Sequence, residues 1–299
     1  MIIGLSGEEP FLLCGLRFAE PEDTSGVAID LSKIRLADPL TALGVTLVAQ
    51  RTALGGNAPH LVLPGDDAEI ERLTVLGLFG SVEGAWLNGT RPRPNRVHAA
   101  RCLPLRRLDA YGGGKADFAS RCIDLVERHR PHPPDAPNPR MLRAIAQVLA
   151  EIVDNAIVHA RSPAGTYGVA RLYLADEVEG PAVEAAIGDA GVGIVGTLGA
   201  LHPRLAEPVD ALRAAFEPGV SGTPPGGLHC GLGLHLVDEI VHERLPGAEL
   251  VILSDDACGW LKAGGSSDSF GPRSDGCPYA RSQFGRWGTW ARLRVPLET

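Results

Sequence analysis

The chain has 299 residues, 44% hydrophobic and 21% charged, and a formal net charge of -8. This is a globular composition, long enough for two ordinary domains. The acidic balance argues against broad nucleic-acid binding, which draws its affinity from positive charge. With no run of about 18 apolar residues, no membrane span is expected.

The N-terminal stretch MIIGLSGEEPFLLCGLRF lacks a basic start followed by a long apolar run, so it does not read as a secretion signal. The expected location is the cytoplasm. The six cysteines (14, 102, 122, 230, 258 and 277) are scattered, with no Cys-x-x-Cys pair. That supports neither a zinc ribbon nor a redox motif, and free thiols are the expectation. Cys258 and Cys277, with polar neighbours, are the secondary candidates for binding a metal.

In chain order, Val27–Ser32 alternates as a strand does. Pro39–Gly55 carries apolar residues at helical spacing and stops on Gly55 and Gly56. His60–Pro64 reads as a second short strand. Asp66–Phe79 reads as a helix, with an Asp cap and acids in its first turn. Strand, helix, strand, helix predicts a parallel sheet with helices packed on it. The basic run RPRPNR, Arg91–Arg96, reads as a solvated loop rather than a nucleic-acid patch.

This first region, over about residues 10 to 90, resembles the STAS domain of anti-sigma-factor antagonists. The resemblance rests on IDLSKIRLADPLTALG: a strand, a turn with Asp38, then a helix start. In that family the residue after the aspartate is usually the phosphorylated serine. Here it is Pro39, which has no hydroxyl, so the resemblance implies a degenerate member. Thr41 is the nearest alternative acceptor, although a threonine at a helix start has an ordinary structural reading.

A proline-rich stretch, Arg130–Arg140, reads as a linker or a helix-initiating turn, with Pro139 in the first turn of the next helix. Ala116–His129 is expected to be helical, and Pro139 to about Ala160 to form a long amphipathic helix. Gly165–Glu177 and Ala182–Gly191 read as adjacent strands. Pro208–Phe216 and Gly231–Leu245 read as helices, and Ala248–Asp255 and Trp287–Leu297 as closing strands. The expected class is α+β. The intervening Gly259–Gly288 shows no periodicity and reads as a hairpin tip or docking surface.

Three segments of this second region carry chemistry. Glu151, Asn155 and His159 are four apart and share a helix face at about 3.6 residues per turn. An acid, an amide and an imidazole do not suit apolar packing. Glu151 can take a proton from a hydroxyl or water, and Asn155 offers a hard oxygen suited to magnesium. In GDAGVGI, Asp189 ends a strand, where its carboxylate can accept from an exocyclic amine while Gly191 and Gly193 let a flat ring approach. In GGLHCGLGLHLV, glycine-rich backbone leads into a helix N-terminus, an anion site suited to phosphates. It lacks the Lys-Ser/Thr of a P-loop and follows a loop, not the strand of a dinucleotide fold.

In this order the three segments resemble the Bergerat-type ATP-binding fold of the GHKL superfamily. EIVDNAIVH supplies Glu-x-x-x-Asn, DAGVGI supplies Asp-x-Gly-x-Gly-Ile, and GLGL supplies the last glycine box, over about residues 110 to 297. FEPGVSG, Phe216–Gly222, is similar to the start of the family's mobile lid. The Glu-x-x-x-Asn-Ala-x-x-His run is closely similar to that of anti-sigma-factor serine kinases.

The resemblance implies a mixed sheet covered by helices on one face, and a division into residues 1–110, STAS-like, and 111–299, ATP-binding. Its cofactors would be ATP and Mg2+. Glu151 would be the base, Asn155 the magnesium ligand and Asp189 the adenine-binding acid. Gly191, Gly193, Gly231, Leu232 and Gly233 would contact the nucleotide, and Thr289 would help hold the adenine. His159 closes the run and has a packing reading near the helix C-terminus. The implied function is a serine/threonine protein kinase acting with a STAS-type antagonist or sigma-like factor, and a homodimer is possible. Two other readings stay open: an ATP-hydrolysing switch worked by lid closure, and a non-catalytic binding module. A sensor histidine kinase fits less well, for want of a membrane segment and an upstream phospho-acceptor helix.

Overall fold

The computed structural model describes residues 2–6, 28–35, 37–56, 59–82, 86–87, 96–109, 114–129, 138–174, 177, 180–224, 231–264, 269–272 and 288–297. The proline-rich stretch up to residue 137, most of RPRPNR, residues 225–230 of the glycine-rich stretch and Cys277 lie outside them.

The first part runs β1 (Ile2–Ser6), β2 (Ala28–Lys33), α1 (Pro39–Leu54), β3 (His60–Val62), α2 (Asp67–Val75), α3 (Leu78–Ser81), β4 (Trp86–Leu87) and α4 (Arg96–Ala99). Strands β1 to β4 form a four-stranded sheet in that order, parallel throughout. Asp38 caps α1: its carboxylate accepts from the Thr41 amide at 2.7 Å, and Pro39 occupies the first turn. Thr41 is buried in that turn. The single helix expected over Asp66–Phe79 is instead two helices. Gly77, at φ 83°, breaks it where a side chain would meet the Leu105 amide and Pro104.

The second part runs β5 (Cys102–Leu108), α5 (Gly114–Arg128), α6 (Pro139–His159), β6 (Thr166–Tyr173), β7 (Ala182–Asp189), α7 (Gly193–Leu198), α8 (Pro208–Ala214), α9 (Gly233–Arg244), β8 (Glu249–Ser254), β9 (Ala257–Lys262), β10 (Ser269–Pro272) and β11 (Thr289–Pro296). The seven strands order as β10-β9-β8-β11-β7-β6-β5, and every pairing is antiparallel. The chain is therefore of α+β class, and the mixed sheet expected here is corrected to an antiparallel one. β5 precedes residue 110 in sequence yet pairs with β6. Two strands, β9 and β10, occupy part of the stretch that read as aperiodic.

Side chains alternate between the faces of this sheet with the period of two that strands impose. Val183, Ala185 and Ile187 of β7, with Ala291, Leu293 and Val295 of β11, face one core with α5, α6 and α9. Ala186 and Trp290 face another core, shared with α1 and with Ile29, Leu31 and Leu61 of the four-stranded sheet. The helices α5, α6 and α9 of the second part thus lie on one face, and α1 of the first part covers the other. Residues 39–49 of α1 are all buried, as an all-round apolar helix requires.

The α1 side of the sheet also holds charge. Glu184 is fully buried; its Oε2 accepts from Arg292 Nη2 at 3.0 Å and lies 3.5 Å from Arg294 Nη1. Arg292 Nε and Glu184 Oε1 form an ion pair at 3.0 Å without hydrogen-bond alignment. Burial, then the Glu184 charge, pushes the Asp38 carboxyl up to about 6 against the opposing pull of Arg292. Among the described residues, no helix is long and apolar enough to cross a membrane.

Candidate functional site

Helix α6 is positioned by its apolar stripe. Asn138 accepts from the Arg140 amide at 2.9 Å to start it, and Ile145, Val148, Leu149 and Ile152 are buried. The opposite stripe presents Glu151, Asp154, Asn155 and His159 to a cavity of about 430 Å³. The same cavity is lined by Asp189, Gly193, Gly231, Leu232, Gly233 and Thr289. Its volume lies in the range of small-molecule sites, roughly 300–1,000 Å³.

Asp189 ends β7 and is 2% exposed. Its Oδ1 accepts from the Gly191 amide at 2.7 Å, and its Oδ2 from the Thr289 amide at 3.4 Å. Burial pushes this carboxyl up to about 7; the two amides pull it down, and nearby Asp255 raises it. Gly191 does not line the cavity but packs behind it: a Cβ there would lie 1.8 Å from the Ala160 carbonyl oxygen. Gly288 has the same role on the other side, since a Cβ there would lie 2.1 Å from the Asp189 carbonyl oxygen.

The start of α7 is held by the β8–β9 turn. The Ile194 amide donates to Ser254 Oγ at 2.8 Å, and the Val195 amide to Asp255 Oδ2 at 3.3 Å. Gly193, at φ 68°, brings the chain against that carboxylate, where a Cβ would sit 2.7 Å from Asp255 Oδ2. Ser254 Oγ is also 3.1 Å from Thr289 Oγ1. Sequence reasoning missed Ser254, Asp255 and Gly288; the only local signal was a polar Ser-Asp-Asp at a strand end.

Helix α9 closes the site against α6. A Cβ on Gly233 would lie 3.1 Å from Glu151 Oε2 and 3.3 Å from Asn155 Nδ2, so glycine lets the helix start abut both side chains. Of the segment expected to begin a lid, Val220, Ser221 and Gly222 line the cavity. The Gly219 amide donates to the Gly231 carbonyl at 3.0 Å, and His202 Nε2 lies 3.0 Å from the Ser221 carbonyl oxygen. His159 lines the cavity near the end of α6, and its carbonyl oxygen lies 3.5 Å from Thr197 Oγ1.

Asn155 Nδ2 is buried with no hydrogen-bond partner. A buried amide left so costs about 1–3 kcal/mol. Among the described residues no group of three or more His, Cys, Asp or Glu side chains gathers for a metal. Glu151 and Asn155 line the cavity, and their side chains carry oxygen donors of the hard kind that magnesium takes. Cys258 is buried in β9, and its candidate partner lies outside the described residues. No family model and no curated protein matches the chain.

Proposed function

We propose that the chain binds ATP with Mg2+ in this cavity, in a Bergerat-type GHKL domain, and acts as a serine/threonine protein kinase of the anti-sigma type in a partner-switching pathway. One observation carries the reading. Glu151, Asn155, Asp189, Gly231 and Thr289 come from four separated segments and line a single cavity. A chance scatter of polar and glycine residues would not converge in this way.

The roles follow from chemistry. Asp189 accepts from the exocyclic amine of adenine, held by the Gly191 and Thr289 amides. The exposed amides at the start of α9 take the phosphates, aided by the helix dipole. Asn155 is the protein's ligand to magnesium, which when bound neutralises phosphate charge. Glu151 takes the proton from the acceptor hydroxyl as the γ-phosphoryl group transfers, and the remaining catalysis is positioning. The acceptor belongs to a separate STAS-type antagonist or sigma-like partner. In the attached STAS-like part, residue 39 is a proline and Thr41 is buried under the sheet.

A second reading, an ATP-hydrolysing switch, is favoured by the lid contacts at Gly231, which closure over a triphosphate would rearrange. One experiment separates the two. The protein is incubated with labelled ATP, Mg2+ and a STAS-type partner, and both proteins are weighed by mass spectrometry. Phosphate on a partner serine or threonine supports the kinase. Free phosphate alone supports the switch, and absence of ATP binding refutes both.

A further inference from the structure

We infer that α1 acts on the proposed purine site from the opposite face of the sheet, with Arg51 as a positioning residue for Asp189. The inference rests on the nucleotide reading above and adds a residue that lies outside the cavity lining.

Helix α1 follows β7 along its length. Asp38 lies near Glu184, Leu43 packs at Gly188, and Gly44 lies under the Trp290 ring, where a Cβ would be 2.9 Å from Cζ3. Arg51 reaches Ala190, just past the strand end: Nη1 donates to the Ala190 carbonyl at 2.9 Å. Thirteen helical residues rise about 20 Å and six strand residues about 20 Å, so the two elements stay in step.

The decisive feature is one peptide plane. The Ala190 carbonyl that Arg51 holds and the Gly191 amide that holds Asp189 Oδ1 belong to the same peptide unit. That unit is planar and rigid, with its oxygen and hydrogen pointing oppositely. Arg51 grips it from the α1 side and the Asp189 carboxylate from the cavity side. Turning the plane at one end turns it at the other. The preceding peptide is held likewise: Trp290 Nε1 donates to the Asp189 carbonyl at 3.0 Å, and the Ala190 amide to Ser162 Oγ at 3.3 Å. The first part of the chain thereby contacts the acid that reads the base through one bond and one peptide.

The test is nucleotide discrimination. Arg51→Met keeps the apolar stem and removes the donor; Arg51→Lys restores a donor. Affinities for ATP and ITP, which lacks the exocyclic amine, are measured with Mg2+ for wild type, both Arg51 variants and Asp189→Asn. The expected result is an ATP:ITP preference that falls at least fivefold in Arg51→Met and recovers in part in Arg51→Lys. A merely structural role would weaken both nucleotides equally and leave the ratio unchanged. An unchanged ratio in Arg51→Met, beside a collapsed one in Asp189→Asn, overturns the inference and spares the nucleotide reading. A wild type that does not prefer ATP overturns both. If Arg51→Met does not fold, Arg51→Leu, which also lacks the donor, takes its place: a lowered ATP:ITP ratio supports the inference, and a ratio equal to wild type overturns it.

Discussion

Replacing Asp189 by asparagine tests the site with a single pair of atoms. The carboxyl is buried, and its affinity for a proton rises from the ordinary 3.8 to about 7. The unfolded chain releases that proton near 3.8, while the folded chain keeps it until about 7. Stability from this group is therefore fully present below 3.8 and is lost as pH rises through about 7. The gap of about three pH units corresponds to about 4 kcal/mol. Asparagine does not ionise, so this loss should vanish in Asp189→Asn. Urea denaturation of both proteins between pH 4.5 and 8 measures it, because titrating groups that do not interact with Asp189 cancel in the difference. The same change should weaken ATP binding. With its oxygen toward the Gly191 amide, the new NH2 faces the Thr289 amide and the adenine amine, both donors. The expected loss is about 1.5–3 kcal/mol, roughly 10- to 150-fold. A stability difference flat with pH would refute the buried carboxyl, and unchanged ATP affinity would refute the pocket assignment.

Glu151→Gln should abolish phosphoryl transfer while leaving ATP affinity within about threefold, as single-turnover and equilibrium titrations would show; retained transfer would remove Glu151 as the base. Gly191→Ala would drive a methyl into the Ala160 carbonyl, so chemical denaturation should show a loss of at least about 1–3 kcal/mol, and a change under about 0.5 kcal/mol would contradict the packing. Glu184→Gln removes the carboxylate charge that pairs with buried Arg292 and should cost about 3–5 kcal/mol in the same assay. Asp38→Asn keeps a helix cap but removes a carboxyl lifted to about 6. The fall in stability as pH rises from about 4 to 6 should therefore be shallower in that variant, and an identical pH profile would refute the burial of this cap.

Much of the architecture was legible from residue patterns because those signals are local. The apolar stripe of α6 and its Pro139 start each depend on neighbours a few positions away. The candidate site was legible where types and spacing were distinctive: Glu151 and Asn155 one turn apart, Asp189 with its glycines, and Gly231 before a helix. β5 was not legible. It carries Pro104, which cannot donate to a ladder, and its register shifts between Leu103 and Arg106. Only its place at the sheet edge makes that proline tolerable.

What the chain by itself determined is the kind of element at most positions and the chemical character of its polar residues. Tertiary structure alone decided that those residues line one cavity, that every strand of the larger sheet runs antiparallel to its neighbours, and that α1 covers the face opposite the site. The physical reason is range. Helical and strand periods are written within a few residues, whereas the Arg51 bond to Ala190 and the Ser254 contact with Thr289 join positions far apart in sequence. No local pattern encodes such pairs; they exist once two apolar faces of one sheet have each found a cover.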